Sequence, residues 1–154
     1  MKHRYGPRFR VLHSCVDQAM TGALAQMGLT AAQGHLMGFL SRSPQPPCPR
    51  DIEQAFQLSH PTVSGLLNRL EKKEFIQLRP DPEDRRCKRI YILPRGEQCN
   101  QHMLETMNSI ENSILQDFTP EEQALFSRLL DRAITNMGGA LHRPCHAKEE
   151  EQKA

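Results

Sequence analysis

Nine of the chain's 20 lysines and arginines fall between residues 59 and 96: Arg69, Lys72, Lys73, Arg79, Arg85, Arg86, Lys88, Arg89 and Arg95. Only five acids share that window: Glu71, Glu74, Asp81, Glu83 and Asp84. The local surplus of four exceeds the net charge of +2 carried by the whole chain, so the remainder is slightly acidic. Concentrated guanidinium and ammonium groups can neutralise phosphates, and interleaved small polar groups can meet base edges. In the first half of the window these small groups are Ser59, His60, Thr62, Ser64, Gly65 and Asn68, with Arg69 and Lys72 behind them. In the second half the cations crowd a turn, at Arg85, Arg86 and Lys88 beside Asp84.

The elements that must carry these groups are legible. Val63, Leu66, Leu67 and Leu70 recur at helical spacing, which places the small polar residues and the cations on the opposite face of one helix. Ser59 is expected to cap that helix through its hydroxyl, and Pro61 sits in the first turn, where a missing N–H costs little. Phe75 to Arg79 is β-prone, Pro80 to Asp84 is turn-rich, and Ile90 and Ile92 alternate with Arg89 and Tyr91 as in a half-buried strand. A short helix over Asp51 to Phe56, a Gln57-Leu58 turn and the helix after Ser59 make a helix-turn-helix pair. One helix for a major groove and one charged hairpin tip for the adjacent minor groove is an arrangement suited to double-stranded DNA.

Further elements surround this unit. Residues 7–27 carry an apolar stripe (Phe9, Leu12, Val16, Met20, Ala23, Met27), with Gly28 at the C′ position. Thr30 to Gln33 forms a capping box for a helix that buries Leu36, Phe39 and Leu40, and residues 43–49 are a Pro-rich break. A long helix follows over residues 97–116. Thr119-Pro120-Glu121-Glu122 starts a last one, which Gly138-Gly139 ends. Residues 141–154 are polar and aperiodic and are expected to be a disordered tail.

The segment Asp81 to Leu93, DPEDRRCKRIYIL, resembles the wing of the MarR family of winged helix-turn-helix regulators. Leu29 to Leu40 and the order of elements to about residue 140 are similar as well. The resemblance implies a mainly α fold with a small β-wing: a winged helix-turn-helix over 29–96, with dimerisation helices from 1–28 and 97–140. It implies that Asp84 braces the wing and that Arg86 enters the minor groove. It also implies that the terminal helices interlock across a two-fold, giving a homodimer on a pseudo-palindromic operator. From the stripes alone, those helices could equally cover the winged-helix core. Members often bind small aromatic or anionic effectors between the dimer helices and the winged helix; His13, Asp17, Met20, His35 and Phe39 are the candidates for such a cleft. Two positions depart from the family pattern. Glu74 stands where Gly commonly closes the recognition helix, so a differently shaped helix end is expected. Pro94 replaces a capping Thr and can occupy N1 instead.

Other chemistry is thinly represented. Nucleotide-binding glycine patterns, a nucleophile elbow and a zincin motif are all missing, so an enzyme is not expected. Five cysteines without a C-x-x-C pair argue against a disulfide framework or a zinc ribbon. His142, Cys145 and His146 are ligand types in an aperiodic tail, and no metal or cofactor is expected. With no long apolar run, no membrane partner is expected either, and the location is read as cytoplasmic. The reading is a dimeric, sequence-specific DNA-binding transcriptional regulator, expected to act as an effector-responsive repressor. The alternative is a winged helix that docks a protein rather than DNA, which the Arg-rich turn disfavours.

Overall fold

Capping chemistry sets most of the element boundaries. The computed structural model describes residues 4–82 and 87–139. Helix α1 runs Tyr5–Gln26 and closes through Gly28 at φ 71°. Thr30 and Gln33 then exchange reciprocal bonds: Gln33 N–H donates to Thr30 Oγ1, and Thr30 N–H donates to Gln33 Oε1. That box opens α2, Ala31–Arg42. The prolines end α2, and Pro49 starts α3 (Pro49–Phe56), whose left-handed Gln57 at φ 52° turns the chain into α4, His60–Lys72. Strands β1 (Ile76–Pro80) and β2 (Lys88–Ile92) pair antiparallel, with Ile76 opposite Ile92 and Pro80 opposite Lys88. Pro94 is the first residue of α5, Pro94–Ile114, as its fixed φ favours. A second Thr–Glu capping box, Thr119 with Glu122, opens α6, Pro120–Asn136. The fold is thus six helices and one two-stranded sheet among the described residues, a winged helix.

The chain divides into two compact units, Met1–Ile110 and Glu111–Ala154. In the first, Leu36, Met37 and Leu40 of α2, Ile52 of α3, Val63, Leu67 and Leu70 of α4, Phe75, Ile76, Ile90 and Cys99 form one buried cluster. Burial pushes the Cys99 thiol up from its ordinary value. In the second unit α6 buries none of its residues, and Phe118 and Phe126 meet edge to face at 5.7 Å.

Two expectations are corrected. Ser59 is the N-cap residue of α4, but its hydroxyl meets Thr62 Oγ1 at 2.9 Å rather than a backbone amide. Glu74 does adopt the left-handed conformation, at φ 62°. Its N–H bonds Glu71 O, and Phe75 N–H bonds Leu70 O, so the helix ends as it would with glycine. A side chain there costs about 1 kcal/mol, because Cβ crowds the carbonyl. The fold tolerates this because Phe75 is anchored on every side. It is fully buried, and its carbonyl accepts Leu93 N–H at 3.0 Å.

Replacing Glu74 by glycine should therefore raise stability by about 1 kcal/mol in urea unfolding, without altering the helix end. Gly96 responds in the opposite sense. A Cβ there would stand 2.3 Å from Phe75 O and 2.6 Å from Ile92 Cγ2, and that carbonyl is already committed to Leu93. Gly96→Ala should destabilise by roughly 1–3 kcal/mol, read in the same way.

Candidate nucleic-acid interface

The interface candidate begins with how α4 is held. Val63, Leu67 and Leu70 are buried, so the helix cannot rotate about its axis without exposing them. That leaves Ser59, His60, Thr62, Asn68, Arg69 and Lys72 exposed on one side, with Ser64 and Gly65 half-buried among them. All eight residues expected from the sequence lie on α4 or at its cap. Gly65 has open space where a Cβ would go: apart from its chain neighbours and the backbone of its own helical turns, nothing lies within 4 Å. Packing does not require glycine there, although glycine costs a helix interior about 1 kcal/mol relative to alanine.

Each end of α4 is tied to other elements. At the start, His60 Nδ1 lies 2.6 Å from Glu53 Oε1 of α3, and His60 Nε2 lies 3.4 Å from Ser64 Oγ. At the end, Lys73 Nζ donates to Gly28 O after α1 and also reaches Gln33 Oε1 at 3.5 Å. Lys73, expected from the sequence to reach phosphates, is therefore engaged in joining α4 to the α1–α2 corner. Arg95 donates to Lys73 O at 2.9 Å and lies over the Phe75 ring at 4.8 Å. Glu71 accepts Leu78 N–H at 2.9 Å and so fixes β1 to the same helix.

The wing is closed at its neck. Asp81 N–H donates to Cys87 O at 2.9 Å. Arg89 Nε donates to Asp81 Oδ2 at 2.6 Å, and its Nη1 donates to Pro46 O at 3.2 Å. Ile90 N–H bonds Pro47 O, so the Pro-rich segment runs along β2 as a backbone partner. The bond to Asp81 and its charge raise the guanidinium pKa of Arg89 above its ordinary value. Charge, turn propensity and strand alternation do not by themselves reveal this clamp. Hairpin register would have revealed it: Asp81 faces Cys87 across the ladder, and Arg89 is the diagonal neighbour two residues further on. Arg79 lies over Tyr91 at 5.0 Å on the same hairpin. Lys88 is exposed at the start of β2. Asp84, Arg85 and Arg86, the expected wing contacts, lie outside the described residues, as do His142, Cys145 and His146 of the tail.

The five candidates for an effector cleft are spread over two helices. His13 and Asp17 are exposed on α1 and Met20 is half-buried there. His35 is exposed on α2, and Phe39 packs edge to face on Phe56 at 5.5 Å. Among the described residues there is no group of three or more His, Cys, Asp or Glu able to hold a metal, and no helix long and apolar enough to cross a membrane.

With this geometry established, known proteins show what it is similar to. The model of the MarR family matches residues 27–86, from just after α1 to just before β2. An HTH-type transcriptional regulator of Bacillus subtilis (strain 168), YsmB, is 34% identical over 80 residues, covering 52% of this chain and 55% of that protein. The match thus spans about half the length of that relative. The HTH-type transcriptional regulator PecS of Dickeya dadantii (strain 3937) is 26% identical over 119 residues, 76% of this chain and 72% of PecS. The Staphylococcus aureus MepR–DNA complex superposes with a TM-score of 0.74 at 27% identity, over 84% of this chain and 96% of MepR. The winged-helix segment, residues 27–86, thus matches the MarR family. The family is one of transcriptional regulators, and its helix-turn-helix pair here is α3 and α4.

Thiol accessibility separates the cysteines of this chain. Cys15 and Cys87 are exposed, whereas Cys99 is buried with a raised pKa. Since the thiolate is the reactive form, a pulse of iodoacetamide on the native protein should label Cys15 and Cys87 first. Cys99 should be labelled only on unfolding, as peptide mass spectrometry would show.

Proposed function

We propose that this protein is a homodimeric, sequence-specific double-stranded DNA-binding regulator that acts as an effector-responsive repressor at a pseudo-palindromic operator. The observation that carries the reading is the outer face of α4. It combines short polar side chains at the start, an unpacked Gly65 in the middle and exposed Arg69 and Lys72 at the end. A helix accepts the cost of an interior glycine where another surface must come close to its backbone. The small N-terminal groups would meet base edges in the major groove, and the cations would reach flanking phosphates. Arg86, following the acidic turn at Asp84, would enter the neighbouring minor groove, with Arg85 and Lys88 on the backbone. The DNA in the MepR complex supports the choice of partner.

The dimer reading rests on the terminal helices. Tyr5, Phe9 and Leu12 of α1 are 63%, 51% and 37% exposed, far more than apolar side chains on a packed face. Leu125 and Leu129 of α6 are also exposed. A two-fold related copy would cover such stripes and would present two α4 helices to two half-sites. A cleft bounded by His13, Asp17, Met20, His35 and Phe39 is the proposed place for a small aromatic or anionic effector. A cytoplasmic location follows from the proposed role at DNA.

Binding to the protein's own upstream DNA, followed by electrophoretic mobility and fluorescence anisotropy, tests the reading. Gly65→Ala should stabilise the protein by up to about 1 kcal/mol yet weaken specific DNA binding at least tenfold, because the added methyl stands in the approach path. Arg69→Ala should cost about 1–3 kcal/mol if Arg69 reaches a base, with altered sequence preference. Gly65→Ala that gains stability and binds as well as the parent would remove α4 from the interface. Sedimentation of the full chain should give a dimer at micromolar concentration, and removal of residues 1–27 should give monomers or aggregate.

A further inference from the structure

The contact chain at the start of α4 has a chemical consequence for how Ser64 presents itself to DNA. Glu53 belongs to α3 and is only 24% exposed, whereas His60 is 73% exposed at the first position of α4. The Glu53 carboxylate can only accept, so His60 Nδ1, 2.6 Å away, must carry the hydrogen. In the neutral ring this leaves a lone pair on Nε2, which faces Ser64 Oγ at 3.4 Å. Ser64 then donates its single hydrogen inward to Nε2 and presents lone pairs outward. When the ring is protonated, Nε2–H donates to Ser64 Oγ, and the Ser64 hydrogen is released to point outward. On the two helices that meet here, Glu53 from α3 is the charged group in contact with the ring, and Ser64 is the polar group from α4. The first-turn amides of α4 add a positive potential at the same end.

We propose that Glu53 and His60 act as positioning residues that set whether Ser64 accepts or donates a hydrogen bond at the DNA surface, and that protonation of His60 reverses that choice. This rests on the reading of α4 as the DNA-facing helix. The consequence is written in base chemistry. An accepting Ser64 matches the exocyclic amino groups of adenine N6 and cytosine N4 in the major groove. A donating Ser64 matches guanine O6 and N7, adenine N7, thymine O4, or a phosphate oxygen, so cytosine and guanine are the bases that separate the two states. Glu53 would thereby influence sequence preference without lying on the recognition helix.

The test is selection of a random duplex library by the full-length protein at about pH 8 and about pH 5.5. At one symmetric pair of positions, the ratio of C to G should fall roughly fivefold to tenfold from the higher pH to the lower. Ser64→Ala should abolish that change. Glu53→Gln, which removes the anion that selects Nδ1–H, should shrink it, and thermal unfolding would verify that the variant is folded. A purely structural role for Glu53 would instead lower affinity for all sequences alike and leave the pH-dependent ratio intact. Enriched half-sites with the same base preference at both pH values would overturn the Ser64 switch while leaving the DNA-binding reading standing. Enrichment of no sequence at either pH would overturn both.

Discussion

The backbone of Phe75 is the junction on which the rest of the first unit depends. Its N–H closes α4 on Leu70 O, its carbonyl receives Leu93 N–H ahead of α5, and its ring lies fully buried beneath Arg95. The end of α4, the root of the hairpin and the start of the long helix are therefore fixed by one residue. The price of that junction appears on either side of it. Glu74 is forced into a left-handed conformation that a side chain resists, and Gly96 must remain without a Cβ to let the Phe75 carbonyl through. A conformational strain of about 1 kcal/mol is accepted because the alternative is to lose the register of three elements at once.

The cations that dominate residues 59–96 divide into two populations once their partners are known. Lys73, Arg89 and Arg95 bind backbone carbonyls: Gly28 O, Pro46 O and Lys73 O respectively. Arg89 is further committed to Asp81. These three join the α1–α2 corner, the Pro-rich segment and α5 to the helix and the wing. Arg69, Lys72, Arg79 and Lys88 are exposed, with Arg79 lying over Tyr91. Part of the charge of the described residues is thus committed to internal partners. Arg69 and Lys72 lie on α4, and Arg79 and Lys88 on the hairpin, the two elements that the proposed function brings to adjacent grooves.

What was legible in the sequence was local. The 3.6-residue stripe of Val63, Leu67 and Leu70 places α4, the Thr30 and Thr119 boxes place two helix starts to the residue, and Gly28 and Gly138 mark two helix ends. The eight candidates on α4 share a face because periodicity alone determines which side is buried. The unanticipated features all depend on partners distant in sequence or on backbone strain. Lys73 reaches a carbonyl 45 residues away, Arg89 one 43 residues away, and neither distance leaves a pattern. Glu74 was misjudged because intrinsic preference was weighed without the buried Phe75 that overrides it. Glu53 and His60 are seven residues apart, a spacing that in a continuous helix would put them on one face but about 10 Å apart. It becomes a contact only because Gln57 turns α3 back onto α4.

The central claim is that the polar face of α4 reads DNA in the major groove, twice, across a two-fold axis. Methylation interference on the protein's upstream DNA measures this directly, because methyl groups on guanine N7 block the major groove while those on adenine N3 block the minor groove. The account predicts two symmetric patches of guanine N7 interference with centres about 10 base pairs apart. Minor-groove interference should flank each patch where the wing enters. Interference at a single patch, or in the minor groove alone, would contradict it.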